Sequence, residues 1–146
     1  MERIHATCVA SDGQAVLLRG KTGSGKSDLA LRLMDQGWDL VADDYTELEA
    51  DGNTLLARPP ETLKGLLEVR GLGLVQVPHV ERAKVVAVFD LVPLANVERL
   101  PEVTIVSFEG LDVPSYTLHA LEASAPAKIR MALQAQTKNL FFNLET

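Results

Sequence analysis

Short apolar runs separated by turn residues dominate the chain, and only two stretches space their apolar residues as a helix does. Ile4 to Ala10 alternates loosely and predicts a first strand. Ala15-Val16-Leu17-Leu18, inside Gln14–Arg19, is a compact apolar run of the kind a buried strand needs. Asp12-Gly13 between them is a hairpin signal, so the two strands are expected to pair. Ser27 to Gln36 has helical spacing among good helix formers, and Gly37 stops it as glycine does just past a helix end. Trp38-Asp39-Leu40-Val41 predicts a strand that ends in Ala42-Asp43-Asp44-Tyr45.

Further on, Glu47 to Leu55 reads as two short strands about an Asp51-Gly52 turn. Pro59-Pro60 interrupts regular structure, and Glu61 to Leu67 is expected as a short helix or turn. Ala83 to Leu91 is the clearest buried strand, because its apolar run is continuous. A loop from Pro93 to Pro101 carries Arg99, and strands follow at Val103–Phe108 and Ser115–Leu118. The second helix is expected over Pro126–Leu133, opened by its proline and capped by Ser124. Thr137 to Thr146 is expected to fray, with Leu140-Phe141-Phe142 able to dock. Strands outnumber helices without regular alternation, which predicts the α/β class with a mixed β-sheet.

Composition narrows the classes. At 146 residues, residues 1–146 are expected to form one domain, and 47% hydrophobic content supplies a sizeable core. The net charge of −6, with both signs spread along the chain, argues against nucleic acid or an anionic membrane as the main partner. Cys8 is the only cysteine, which excludes an intrachain disulfide, fits a reducing cytoplasm and reads as a small buried residue. No apolar run reaches the roughly 20 residues of a membrane span. Met1-Glu2-Arg3-Ile4-His5 lacks the basic and apolar regions of a signal peptide, so a cytoplasmic location is expected.

The candidate chemistry centres on Gly20-Lys21-Thr22-Gly23-Ser24-Gly25-Lys26-Ser27, the G-x-x-x-x-G-K-S phosphate-binding loop, set between a predicted strand and a predicted helix. Its glycines let main-chain N–H groups approach an anion at a helix N-terminus. Lys26 adds positive charge for phosphate oxygens, and the Ser27 hydroxyl is placed to ligate Mg²⁺. Asp43-Asp44 ends the next strand, at the sheet edge where α/β proteins bind ligands. One of the two carboxylates suits a metal or its water and the other suits proton acceptance from an attacking hydroxyl; a solvated turn is the plain alternative. His5 returns toward the loop through the predicted hairpin, although a lone histidine is more often structural. Glu68-Val69-Arg70-Gly71-Leu72-Gly73 sets an acid, a base and two glycines before an apolar run. Glu68 suits metal and Arg70 suits phosphate, while Gly71 and Gly73 mark a bend or a close approach; an ion-paired loop entering a strand is the other reading.

Three of these stretches together resemble the C-terminal catalytic domain of the HPr kinase/phosphorylase family. They are Gly20–Ser27 with its helix and Val41-Ala42-Asp43-Asp44, then Pro59-Pro60 leading to Leu67–Leu74, then His5 at the family's distance before the loop. The Glu-Val-Arg-Gly-Leu-Gly block is the specific one, and the resemblance covers roughly the first half of the chain. It implies a mixed sheet around a P-loop, the HPr kinase/PEP carboxykinase-like kinase core. It also implies ATP- and Mg²⁺-dependent phosphorylation of a serine on the phosphocarrier protein HPr, together with phosphorolysis of seryl-phosphorylated HPr to pyrophosphate. Carried over, His5 and Lys26 are active-site residues, Asp44 takes the serine proton, Ser27 and Glu68 hold Mg²⁺, and Arg99 matches the family's downstream arginine. A hexamer is likewise implied. The family's N-terminal domain has no counterpart, so a short form with only the catalytic domain is expected. Its late basic, glycine-containing block is replaced by Leu121–Lys128.

Two rival classes compete with this reading. A small-molecule kinase would need an arginine-rich lid, and Thr104–Ser124 has no arginine. A nucleotide-sensing module that transfers nothing would have no use for the Asp43-Asp44 base.

Overall fold

The computed structural model of the chain describes residues 1–142. Residues 143–146, the last of the stretch expected to fray, lie outside the described residues. In chain order the strands are β1 (Glu2–His5), β2 (Thr7–Ser11), β3 (Gln14–Arg19), β4 (Asp39–Ala42), β5 (Tyr45–Asp51), β6 (Thr54–Arg58), β7 (Leu66–Val69), β8 (Gly73–Gln76), β9 (Ala83–Leu91), β10 (Thr104–Phe108) and β11 (Leu111–Leu118). Helix α1 (Lys26–Met34) follows β3, and α2 (Ala125–Lys138) follows β11. No helix among the described residues is long and apolar enough to cross a membrane.

Nine strands form one mixed sheet in the order β1-β5-β6-β9-β3-β2-β4. β9 lies at its centre, parallel to β3 along one edge. Its other edge is shared, first by antiparallel β6 and then by parallel β11, on which β10 folds back. β7 and β8 form a separate hairpin.

The expected first strand is in fact two. Up to His5 the chain pairs with β5, and from Thr7 it pairs with β3 and β4, so the path changes partner at Ala6. Periodicity cannot register this, because it sees which face a residue takes and not which neighbour it pairs with. Since β1 and β4 are the two ends of the strand order while β1 runs directly into β2, the sheet must curl to bring its ends together. The concave side carries many small residues, among them Ala6, Cys8, Ala10, Ala15 and Ala57, packed with Leu17, Val88 and Phe108. The other side packs Val16, Leu18, Leu40 and Phe89 against Leu29 and Leu33 of α1 and Ile129 and Leu133 of α2. Both faces are therefore buried, and β3 reads as a continuous apolar run for that reason.

Local signals account for most element ends. Asp12 and Gly13 both take positive φ (52° and 76°) in the β2–β3 turn, as that two-residue hairpin requires. α1 ends as expected at Gly37, whose N–H donates to the Met34 carbonyl (3.0 Å) while Trp38 donates to that of Leu33 (3.2 Å). Ser124 precedes α2, but its hydroxyl makes no capping bond: its backbone is already helical (φ −80°, ψ −3°) and not in the extended conformation of a capping residue. Glu61–Leu63 is a 3-10 turn, while Leu66 and Leu67, expected with it, belong to β7. The expected fraying from Thr137 is corrected at its start, since α2 continues to Lys138. Phe141 then stacks on Tyr116 with ring centroids 6.2 Å apart, and Tyr116 in turn stacks on Phe89 at 5.0 Å.

Phe89 is fully buried between the sheet and α2. Phe89→Ala is expected to cost about 3–5 kcal/mol in urea unfolding, from lost transfer energy plus the cavity left behind. Burial also pushes the Cys8 thiol far above its ordinary pKa. Cys8 should accordingly react with a thiol reagent only at the rate of unfolding, which a time course with and without denaturant measures.

Candidate active site

The charged groups near the phosphate loop come from β1, α1, the β4–β5 link and the β7–β8 hairpin, all of which line one cavity. The loop joins β3 to α1, and Gly25 caps the helix in a left-handed conformation (φ 97°) that a side chain would strain. Gly20 has no positive φ. It is required by close packing: a Cβ there would stand 3.0 Å from the Leu91 carbonyl and collide with the Ser24 side chain. Lys26 is buried, and its ammonium donates to the carbonyls of Gly20 (2.8 Å) and Lys21 (3.2 Å), which holds the loop closed around it. The Ser24 hydroxyl is buried without a hydrogen-bond partner among the described residues.

Asp43 and Asp44 have separate tasks. Asp43 is only 8% exposed and ties three elements together. Its Oδ1 accepts from the Ser27 hydroxyl (2.8 Å) and the Thr7 hydroxyl (3.0 Å), and its Oδ2 accepts from the Glu68 backbone N–H (3.1 Å). Donors on both oxygens satisfy the buried carboxylate and fix its orientation. Asp44 points outward. Tyr45 N–H donates to the Asp43 carbonyl (2.7 Å) across Asp44 at φ 69°, a γ-turn in its rare positive-φ form. Aspartate tolerates that conformation better than most residues, and strain of this kind collects where function needs it. The Asp44 amide donates to the Thr7 hydroxyl (3.2 Å), and its Oδ1 meets His5 Nε2 at 2.7 Å. His5 reaches it because β1 pairs with β5, which places His5 opposite Tyr45.

The cavity these groups line has a volume of about 770 Å³ and is walled by His5, Lys26, Ser27, Asp44, Glu68 and Arg70. Gly23 and Gly25 of the loop, Thr22, and Gly71 and Gly73 of the β7–β8 hairpin line it as well, together with Asp28, Leu31, Val69 and Leu121. Gly71 and Gly73 take φ 92° and 99°, as the hairpin's bend requires, and no protein atom crowds them. Glu68 and Arg70 are exposed to the cavity rather than paired with each other in a closed loop. For Mg²⁺, the Ser27 hydroxyl beside the Asp43 carboxylate, with Glu68 across the cavity, is a hard-oxygen donor set. That fits an ion that takes one or two protein oxygens and completes its shell with phosphates and water.

Arg99 is the one expected site residue that the structure does not bring in. It is exposed in the segment after the 3-10 turn Leu94–Asn96 and does not line the cavity. Prolines 93 and 101 bracket this segment and keep it from continuing β9 toward the loop. Sequence reasoning missed Thr7 and Leu121. Thr7 left a signal, a polar residue inside the apolar run Ala6-Thr7-Cys8-Val9. Leu121 left none, since its place at the cavity depends on where α2's approach passes α1.

Fold and cavity together define a P-loop α/β protein with an acid pair at a strand tip. The chain belongs to the HPr serine kinase C-terminal domain family, whose model matches residues 1–95. It is 47% identical over 75 residues to the HPr kinase/phosphorylase of Bacillus subtilis (strain 168), which is 51% of this chain and 24% of that protein. Against the HPr kinase/phosphorylase of Lactobacillus acidophilus it is 37% identical over 108 residues, 66% of this chain and 34% of that protein. The chain therefore matches only about a quarter to a third of the length of these curated relatives. The solved structure of the Hpr(Ser) kinase/phosphatase from Coxiella burnetii superposes with a TM-score of 0.84 at 24% identity, covering 96% of this chain and 99% of that one. This last likeness establishes the fold.

Asp43→Ala would strand two hydroxyls and an amide, and is expected to lower stability by about 2–4 kcal/mol. Asp44→Gly removes an exposed carboxylate from a positive-φ position and should stay within about 1 kcal/mol of the parent. Paired urea titrations read the contrast.

Proposed function

We propose that the chain is an ATP- and Mg²⁺-dependent serine kinase acting on HPr, with residues 1–146 forming one catalytic domain in the cytoplasm. The observation that carries the proposal is the division of labour between two adjacent acids. Asp43 is locked to the phosphate loop through Ser27, and Asp44 is offered to the cavity on a strained turn beside His5. Family membership and the HPr kinase/phosphorylase names of the relatives support the choice of substrate.

In this reading the loop amides and Lys26 hold the triphosphate, and Ser27 with Asp43 and Glu68 supplies oxygens for Mg²⁺. Bound Mg²⁺ would neutralise developing charge on the phosphates. Asp44 accepts the proton from the incoming serine hydroxyl as its oxygen bonds to the γ-phosphorus. The bond from that phosphorus to the β-γ bridging oxygen breaks, and ADP leaves. His5 orients the Asp44 carboxylate, and Arg70 steadies charge on the transferred group from the hairpin. Most of the rate comes from positioning and charge, as phosphoryl transfer requires. Phosphorolysis of seryl-phosphorylated HPr and assembly into a hexamer belong to the same proposal. Arg99 does not line the cavity, and no part in the chemistry is proposed for it.

The test is incubation of the purified protein with labelled ATP, Mg²⁺ and HPr, followed by seryl-phosphorylated HPr with inorganic phosphate. Label transferred to HPr serine is the expected result, and an unlabelled HPr would refute the kinase reading. Asp44→Asn should lower transfer by about 10²–10⁴-fold while MgATP still binds. Lys26→Ala should lose nucleotide binding itself, as calorimetry would show. Wild-type rates for Asp44→Asn would remove it as the base.

A further inference from the structure

The cavity has a second wall that none of the phosphate chemistry uses. Residues 119–122 run past the phosphate loop just before α2. A Cβ built on Gly25 would stand 3.1 Å from Ala120 Cβ and 3.6 Å from Leu121 Cδ2, so this segment lies directly over the loop. Arg32 of α1 holds it there. The guanidinium donates to the Glu122 carbonyl (3.1 Å) and to the Ala120 carbonyl, and its Nε is fixed by Asp28 (3.0 Å). Between those two anchored carbonyls sits Leu121, which lines the cavity and remains 67% exposed. A large apolar side chain whose backbone is clamped on both sides, yet which is left uncovered, is poorly explained as core.

The helix geometry sets the two walls apart. Ser27, on one flank of α1, reaches Asp43; Arg32 lies about 140° further round the helix and reaches the 120–122 segment. The acid pair marks the end of the cavity where a hydroxyl would attack. A triphosphate lying along the loop with its reactive end there must direct its other end toward the opposite wall. Leu31, half-exposed on the outer face of α1, lines the cavity as well.

We infer that Leu121, with Leu31, is the surface on which the nucleoside of a bound nucleoside triphosphate rests, and that Arg32 is the positioning residue that holds Leu121 there. This rests on the reading of the cavity as a triphosphate site. The contact is apolar. The charged side chains on this wall are engaged with one another, Asp28 with Arg32 and Glu122 with Lys128, so the wall reads the base weakly. Adenine, guanine and cytosine nucleotides should then bind within about tenfold of one another, as expected where no buried polar group selects.

The experiment compares two probes, MgATP and Mg-tripolyphosphate, by calorimetry on the full chain, with MgGTP and MgCTP titrated into the wild-type protein as well. Leu121→Ala, at an exposed position, should weaken MgATP by about tenfold and leave tripolyphosphate within about twofold. Arg32→Lys keeps the charge and loses the planar fork, and should show the same selective loss, with no additive effect in the double variant. Equal weakening of both probes, or MgATP binding unchanged in Leu121→Ala, overturns the assignment. So does a preference above about tenfold for one base in the wild-type protein. A wild-type protein that binds neither probe fails earlier and overturns the triphosphate reading itself.

Discussion

The carboxylate of Asp43 is the joint on which the site depends. One buried side chain accepts from the phosphate-loop helix through Ser27, from the sheet through Thr7 and from the β7–β8 hairpin through the Glu68 amide. A buried carboxylate is tolerable only when donors saturate it, and here each donor comes from a different element. The same bonds that make its burial possible fix the loop, the strand tip and the hairpin against one another. Thr7 extends this arrangement by also accepting the Asp44 amide, so the strained turn at Asp44 is set by the joint and not by its own sequence.

The curl of the sheet serves the same end. A flat sheet would leave β4 far from β5, which Asp43-Asp44 must join directly. Small residues along the concave face let the strands close up. The switch of partners at Ala6 then carries the chain from β1, at one end of the strand order, to β2, beside β4 at the other end, within a single residue. The convex face has the opposite demand: Phe89, Leu29, Leu33 and Ile129 fill the space between the sheet and two helices. That face holds α1 with its N-terminus, and so the phosphate loop, at the mouth of the cavity.

The family match ends at residue 95, yet the fold likeness covers 96% of the chain. The later part, with β10, β11 and α2, keeps the architecture with its own residues. A β9–β11 pairing and an α2 packed on the convex face can be met by many apolar sequences, because burial constrains volume and pattern more than identity. The segment before α2 shows the consequence. Its hydrogen bonds to α1 run from Arg32 to main-chain carbonyls, which do not depend on the side chains at those positions.

From the chain alone one can read the phosphate loop, the strand before it and the helix after it, the acids at the next strand tip and the α/β class. Each follows from a local rule, whether glycine spacing, apolar periodicity or a turn dipeptide. Tertiary structure alone decided that Ile4–Ala10 is two strands with different partners, and that Asp43 is buried as a joint while Asp44 faces the cavity. It alone also placed Leu121 on the site and left Arg99 out of it. The physical reason is common to all four. Pairing partners, and the burial of one of two identical adjacent side chains, depend on residues far along the chain. Periodicity and short motifs carry information only about neighbours.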